Sequence, residues 1–112
     1  MPRRDRERIA DILEAAEKIR ERVGRGRERF DADEDMQIVL MHLVQVSGEA
    51  ASRVSPELVE TRPQVPWRAL AGMRNRVVHE YFAVDLEVLW AAAANDVPSL
   101  AAQLVAIGSE EW

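Results

Sequence analysis

Met36-Gln37-Ile38-Val39-Leu40-Met41-His42-Leu43-Val44-Gln45-Val46-Ser47-Gly48-Glu49-Ala50 carries apolar or small residues around much of a helical circumference. Met36, Val39, Leu40, Leu43, Val44, Val46, Ser47, Ala50 and, one turn further, Val54 recur at helical spacing and do not alternate. A helix that is apolar on most sides must be covered on most sides, so this segment predicts the central helix. Asp31, Asp33, Glu34 and Asp35 precede it and put negative charge where the helix dipole favours it. That acidic group reads as a helix start and not as a cation site.

Outward from this helix the pattern stays helical. From Arg4 to Val23, Ile9, Ile12, Leu13, Ala16, Ile19 and Val23 form one apolar stripe, and Gly24 and Gly26 end it. Arg25 to Phe30 reads as a connection. The acids Asp5, Glu7, Asp11, Glu14, Glu17 and Glu21 interleave with the basic residues of the first helix, as on a solvated face. On the C-terminal side, Ser55-Pro56-Glu57 predicts an N-cap and a short helix to about Thr61. Pro63 and Pro66 mark a loop, with Pro66 suited to the first turn of a third main helix from Trp67 to His79 or Glu80. Asp85 would cap a fourth, through Leu86, Val88, Leu89, Trp90 and the Ala91–Ala94 run, with a break or kink at Asn95-Asp96-Val97-Pro98 before a last helix from Ser99 to Ile107. No alternating strand pattern of useful length is present. The expected class is all-α, an antiparallel bundle of four to five helices with short connections.

Residues 1–112 are expected to form one domain, with one core and no room for two. The chain has no cysteine, which excludes disulfides and thiolate metal sites. No apolar run is long enough for a membrane span, and the charged start Met1-Pro2-Arg3-Arg4-Asp5-Arg6 lacks a secretory h-region, so a cytoplasmic protein is expected. A net charge of −5 argues against a sequence-independent nucleic-acid coat. Charge distribution says more than the total. Residues 61–79 hold Arg62, Arg68, Arg74 and Arg76 without an acid, between flanks rich in acids. A basic island on an acidic body suits one phosphate group, or is simply four solvated arginines.

At the end of that island, Arg74-Asn75-Arg76-Val77-Val78-His79-Glu80-Tyr81 brings together a permanent cation, a proton shuttle and a phenol. Arginine holds a phosphate through paired hydrogen bonds, and histidine exchanges a proton near neutral pH. On a continuous helix Asn75 and His79 share a face, and Arg74 stands roughly 140° from His79. Tyr81 would point away from His79 unless the helix loosens around Glu80. Leu70, Met73, Val77 and Val78 would anchor the other side, and Arg76 and Glu80 read as an exposed ion pair.

RNA cleavage by its own 2′-hydroxyl needs a base for that hydroxyl, an acid for the departing 5′-oxygen, and positive charge on the anionic transition state. His79 suits either proton-transfer role and Arg74 the electrostatic one. One histidine per motif leaves a role unfilled, and a symmetric dimer pairing two motifs across a cleft would fill it. Asn75 would orient the imidazole or bond a phosphate oxygen. On spacing alone, a structural arginine and histidine on an arginine-rich helix remain an alternative.

Arg74, four residues, His79, one residue and Tyr81 resemble the RX4HXY motif of the HepT-like toxins, a branch of the HEPN superfamily and part of type VII toxin–antitoxin systems. Met73-Arg74-Asn75, His79-Glu80-Tyr81, Val84-Asp85-Leu86, Trp90 and Asn95-Asp96-Val97-Pro98 resemble that family's flanks. The resemblance implies a HEPN-like helical bundle that forms a homodimer, with a metal-independent endoribonuclease site at the dimer cleft. Arg74 and His79 would be its catalytic pair, Asn75 a polar helper, and RNA the substrate. It also implies a cognate nucleotidyltransferase antitoxin that silences the toxin by AMPylation of Tyr81. A phosphate-bearing adduct beside Arg74 would occupy the RNA pocket and add negative charge there.

No cofactor and no metal are expected. His42, amid Met41, Leu43 and Val44, reads as structural, and two histidines so far apart make a poor metal site. Trp67, Trp90 and Phe82 read as core or interface anchors more than as base-stacking platforms. There is no glycine-rich phosphate loop. The rival readings are a non-catalytic helical module that binds a nucleotide or its nucleotidyltransferase partner, and a helical scaffold in which the motif is structural only.

Overall fold

The structure, a computed structural model, describes the backbone of residues 3–80 and 83–111 and the side chains of residues 3–72 and 85–107. The helices are α1 (Arg3–Val23), α2 (Arg27–Ala32), α3 (Glu34–Ser52), α4 (Pro56–Thr61), α5 (Trp67–Val77), α6 (Leu86–Ala91) and α7 (Val97–Glu111). Between α5 and α6 lie two short strands, β1 (Val78–Glu80) and β2 (Ala83–Val84), and a π-helical turn (Ala92–Asp96) joins α6 to α7. The architecture is all-α as expected, with this small ladder as its one extended part among the described residues.

α3 is the central helix. It packs against α1 on one side and α5 on the other, and α1 carries α7 on its far side. Met36, Leu40, Leu43, Val44, Ser47, Gly48, Ala50 and Ala51 are its buried residues, and α1 answers with Ile9, Ile12, Ala15, Ala16 and Ile19. Phe30, Leu58, Val65, Trp67, Leu70, Leu89, Ala92, Ala93, Val97, Leu100, Leu104 and Ile107 complete the core. The Ser47 hydroxyl is satisfied inside the helix by the Leu43 carbonyl at 3.0 Å.

The helix starts follow their capping residues. Asp33 Oδ1 accepts from Met36 N at 3.1 Å and Ser55 Oγ from Leu58 N at 3.2 Å. The bond from Met36, then the neighbouring Arg29, hold the Asp33 carboxyl below the usual aspartate range. Asp85 Oδ1 accepts from Glu87 N and Val88 N at 3.0 and 3.1 Å. Ser55 also ties the first turn of α1 to the corner between α3 and α4, because its N–H and hydroxyl donate to the two oxygens of buried Asp5 at 2.8 and 2.6 Å. Asp5→Ala is expected to cost about 2 kcal/mol, since it leaves the Ser55 N–H without an acceptor. A thermal melt beside Ser55→Ala checks this; a melting temperature equal to wild type would contradict it.

Three local expectations need correction. Arg25 to Phe30 is not only a connection: α2 begins at Arg27, behind Gly26 with its φ of 98°, a conformation glycine adopts freely. The third main helix stops at Val77, short of His79 and Glu80. Its continuation holds the β-branched pair Val77-Val78, and Ala83-Val84 offers a strand to pair with. The break at Asn95-Asp96-Val97-Pro98 is a widened turn and not an interruption. Val97 N–H bonds to the Ala92 carbonyl, five residues back, and α7 continues through Pro98, whose missing N–H the wider turn accommodates.

Candidate functional site

The arginine–histidine run lies where α5 hands over to β1. α5 starts from a firmly held corner: Val65 and Trp67 are buried, Trp67 N–H donates to the Val65 carbonyl at 2.8 Å, and its indole Nε1–H donates to the Arg62 carbonyl at 3.1 Å. Trp67 and Leu70 then dock α5 on α3. By helical register Arg74 occupies the position one turn after Leu70 and two after Trp67, and Asn75 the position one turn after Ala71 and two after Arg68. Both are in α5; their side chains lie outside the described residues, as does the side chain of Arg76.

His79 is not on the helix with Asn75. It sits on β1, which pairs antiparallel with β2 in the register Val78↔Val84 and Glu80↔Ala83. β1 advances two residues while β2 advances one, so His79 is the extra residue of a bulge. Bulges bend a strand locally and commonly re-aim a side chain beside a site. The expected i, i+4 helical pairing of Asn75 and His79 is therefore replaced by a helix-to-strand junction. The side chains of His79 and Glu80 lie outside the described residues, and so does Tyr81 together with Phe82.

The far end of the junction is fixed from two directions. Asp85 caps α6, and Arg27 of α2 forks both oxygens of Glu87, in the first turn of α6, with Nη1–Oε2 at 3.2 Å and Nη2 on Oε1. Arg27 Nε donates to Asp31 Oδ1 at 2.8 Å, so one guanidinium serves two carboxylates. The Glu87 carboxyl is held below the usual glutamate range, first by its hydrogen bonds from Arg27 and then by that charge, and Arg27 is pushed up in return. Beneath it, Phe30 and Trp90 lie with ring centroids 5.1 Å apart at 47°, and the guanidinium stands 5.7 and 5.8 Å from the two rings. Trp90 is thus the anchor the sequence suggested. Arg27 and Glu87 were not legible as partners: they are sixty residues apart, and only the Arg27–Asp31 spacing hinted that this segment is helical.

Elsewhere the chemistry is plain. His42 is exposed on α3, beside a shallow groove lined by Asp11, Glu14, Lys18 and Val46, so it is a surface residue and not a packed one. Among the described residues no cluster of three or more metal-ligating side chains occurs, and no helix is long and apolar enough to cross a membrane. The basic island has Arg62 half-buried and Arg68 exposed.

The chain belongs to the ribonuclease HepT-like family, whose model matches residues 12–107. It is 35% identical over 101 residues to a Thermococcus cleftensis protein named "Probable ribonuclease HepT", covering 89% of this chain and 92% of that one. Proteins named "Putative RNase" are 32% identical over 104 residues in Caldanaerobacter subterraneus subsp. tengcongensis (92% and 93% covered) and 31% over 101 residues in Methanocaldococcus jannaschii (88% and 84% covered). No solved structure matches the chain. The class of enzyme these findings define is a ribonuclease.

Proposed function

We propose that the chain, as one domain, is a metal-independent endoribonuclease and the toxin of a toxin–antitoxin pair, working in the cytoplasm as a homodimer. The observation that carries the reading is the Arg74-Asn75-Arg76-Val77-Val78-His79-Glu80-Tyr81 run itself, inside the family match and at the junction of a docked helix with a bulged strand. In the reaction, the 2′-oxygen attacks phosphorus, the bond from phosphorus to the 5′-oxygen breaks, and a 2′,3′-cyclic phosphate and a 5′-hydroxyl result. His79 takes the 2′-proton or supplies the proton to the 5′-oxygen, and the second copy's motif provides the other transfer. Arg74 balances the charge that grows on the phosphoryl oxygens. Asn75 bonds a phosphate oxygen or the imidazole.

The partner is a nucleotidyltransferase antitoxin that transfers AMP from ATP to the Tyr81 hydroxyl, releasing pyrophosphate. The added phosphodiester is negative and lies two residues from His79, where it competes with RNA for Arg74. Treating the protein with the nucleotidyltransferase and Mg-ATP is expected to add one AMP by intact mass and to extinguish RNA cutting in step. Tyr81→Phe should stay unmodified and active. Cutting that survives stoichiometric modification, or an adduct that forms equally on Tyr81→Phe, would overturn the regulatory half of the reading.

A further inference from the structure

α5 carries a glycine with open space around it among the described residues. Gly72 stands in the body of the helix, without the positive φ seen at Gly26, and a Cβ built on it would meet no atom of another element within 4 Å among the described residues. At Gly24, by contrast, a Cβ would lie 3.4 Å from the carbonyls of Arg20 and Glu21. A glycine inside a helix weakens it relative to alanine, and at 72 it leaves room for a ligand to lie against bare backbone. Arg68, one turn earlier, is exposed and makes no ion pair or hydrogen bond through its side chain among the described residues. By register Arg68, Gly72 and Asn75 fall at i, i+4 and i+7, on one face of α5. That face thus has a free cation, then a patch of bare backbone, then the polar helper of the motif.

The occupant follows from charge. Residues 61–79 hold four arginines and no acid within a chain of net charge −5. Two copies that pair their motifs add their arginines at one cleft, and a phosphodiester chain supplies the negative charge that complements them. We propose that the Arg68–Gly72 face of α5 is the docking track for the RNA backbone beside the bond being cut. Arg68 holds a phosphate neighbouring the scissile one, and Gly72 lets the ribose–phosphate chain lie against the helix. This rests on the ribonuclease reading and adds to it a binding site outside the motif.

The test is binding of a mixed-sequence single-stranded RNA to the protein in a His79→Ala background, so that the RNA stays intact, across a salt series. Arg68→Gln is expected to weaken binding about fivefold at low salt, and to flatten the slope of log affinity against log salt by about 0.7. Arg6→Gln removes the same charge from the exposed start of α1 and should bind within twofold of its parent. Gly72→Ala should raise the melting temperature by about 4 °C and yet weaken RNA binding, a combination that a purely structural glycine would not give. The proposal falls if Arg68→Gln and Gly72→Ala bind RNA as Arg6→Gln does while the protein with His79 intact cuts RNA; the ribonuclease reading would then stand alone. It also falls if Gly72→Leu splits the dimer while the monomer keeps its RNA affinity, because the face would then belong to a second copy. Protein with His79 intact that neither binds nor cuts RNA would remove both readings together.

Discussion

His79→Ala is expected to lower kcat/KM for RNA cleavage by about a thousandfold, with a melting temperature close to wild type. A positioned acid or base supplies that order of acceleration, and the chain's other histidine, His42, is on the exposed surface of α3 in a groove shared with α1. Arg74→Lys is an informative companion, because lysine keeps the charge but loses the planar fork that grips two phosphoryl oxygens. It should fall between wild type and Arg74→Ala. A His79→Ala enzyme within a few fold of wild type would remove the imidazole from the mechanism.

The largest expected effect on stability belongs to Phe30→Ala. Phe30 is fully buried, packs on Trp90 at 5.1 Å, and lies under the Arg27 guanidinium. Truncating it opens a cavity between α2 and α6 and should cost about 3–4 kcal/mol, a fall of roughly 15 °C in melting temperature. Phe30→Leu should recover most of that. Arg27→Met should cost much less, because the Arg27–Glu87 pair is solvated and exposed pairs contribute little. A calorimetric scan of the three variants checks the order. Phe30→Ala melting with wild type would mean that α2 is not docked as described. The consequence reaches the site, since the same contacts hold the start of α6, where the chain returns from β2.

Local physics explains which of these features the sequence discloses. The stripes of α1 and α3 were legible because Ile9, Ile12, Ile19, Leu40 and Val44 repeat at helical spacing, and the caps at Ser55 and Asp85 because their side chains bond the turn that follows. α2 was hidden by its brevity: six residues between Gly26 and Asp33 look like a connection, and Phe30, its one buried residue, needs Trp90 from far along the chain. The end of α5 was misplaced for a related reason. Helix propensity falls only gently through Val77-Val78, and the ladder from Val78 to Val84 decides the matter through pairing that periodicity does not register. Of the candidate residues, Arg74 and Asn75 fall on α5 as helical spacing suggests, whereas His79 does not, because a bulged strand replaces the last turn.

Incubating purified, AMP-free protein with total RNA in excess EDTA and analysing the new termini tests the central claim most directly. The expected products carry 2′,3′-cyclic phosphates and 5′-hydroxyls and are absent with His79→Ala. Intact RNA under EDTA, or products ending in 3′-hydroxyls and 5′-phosphates, would contradict a metal-independent attack by the 2′-oxygen.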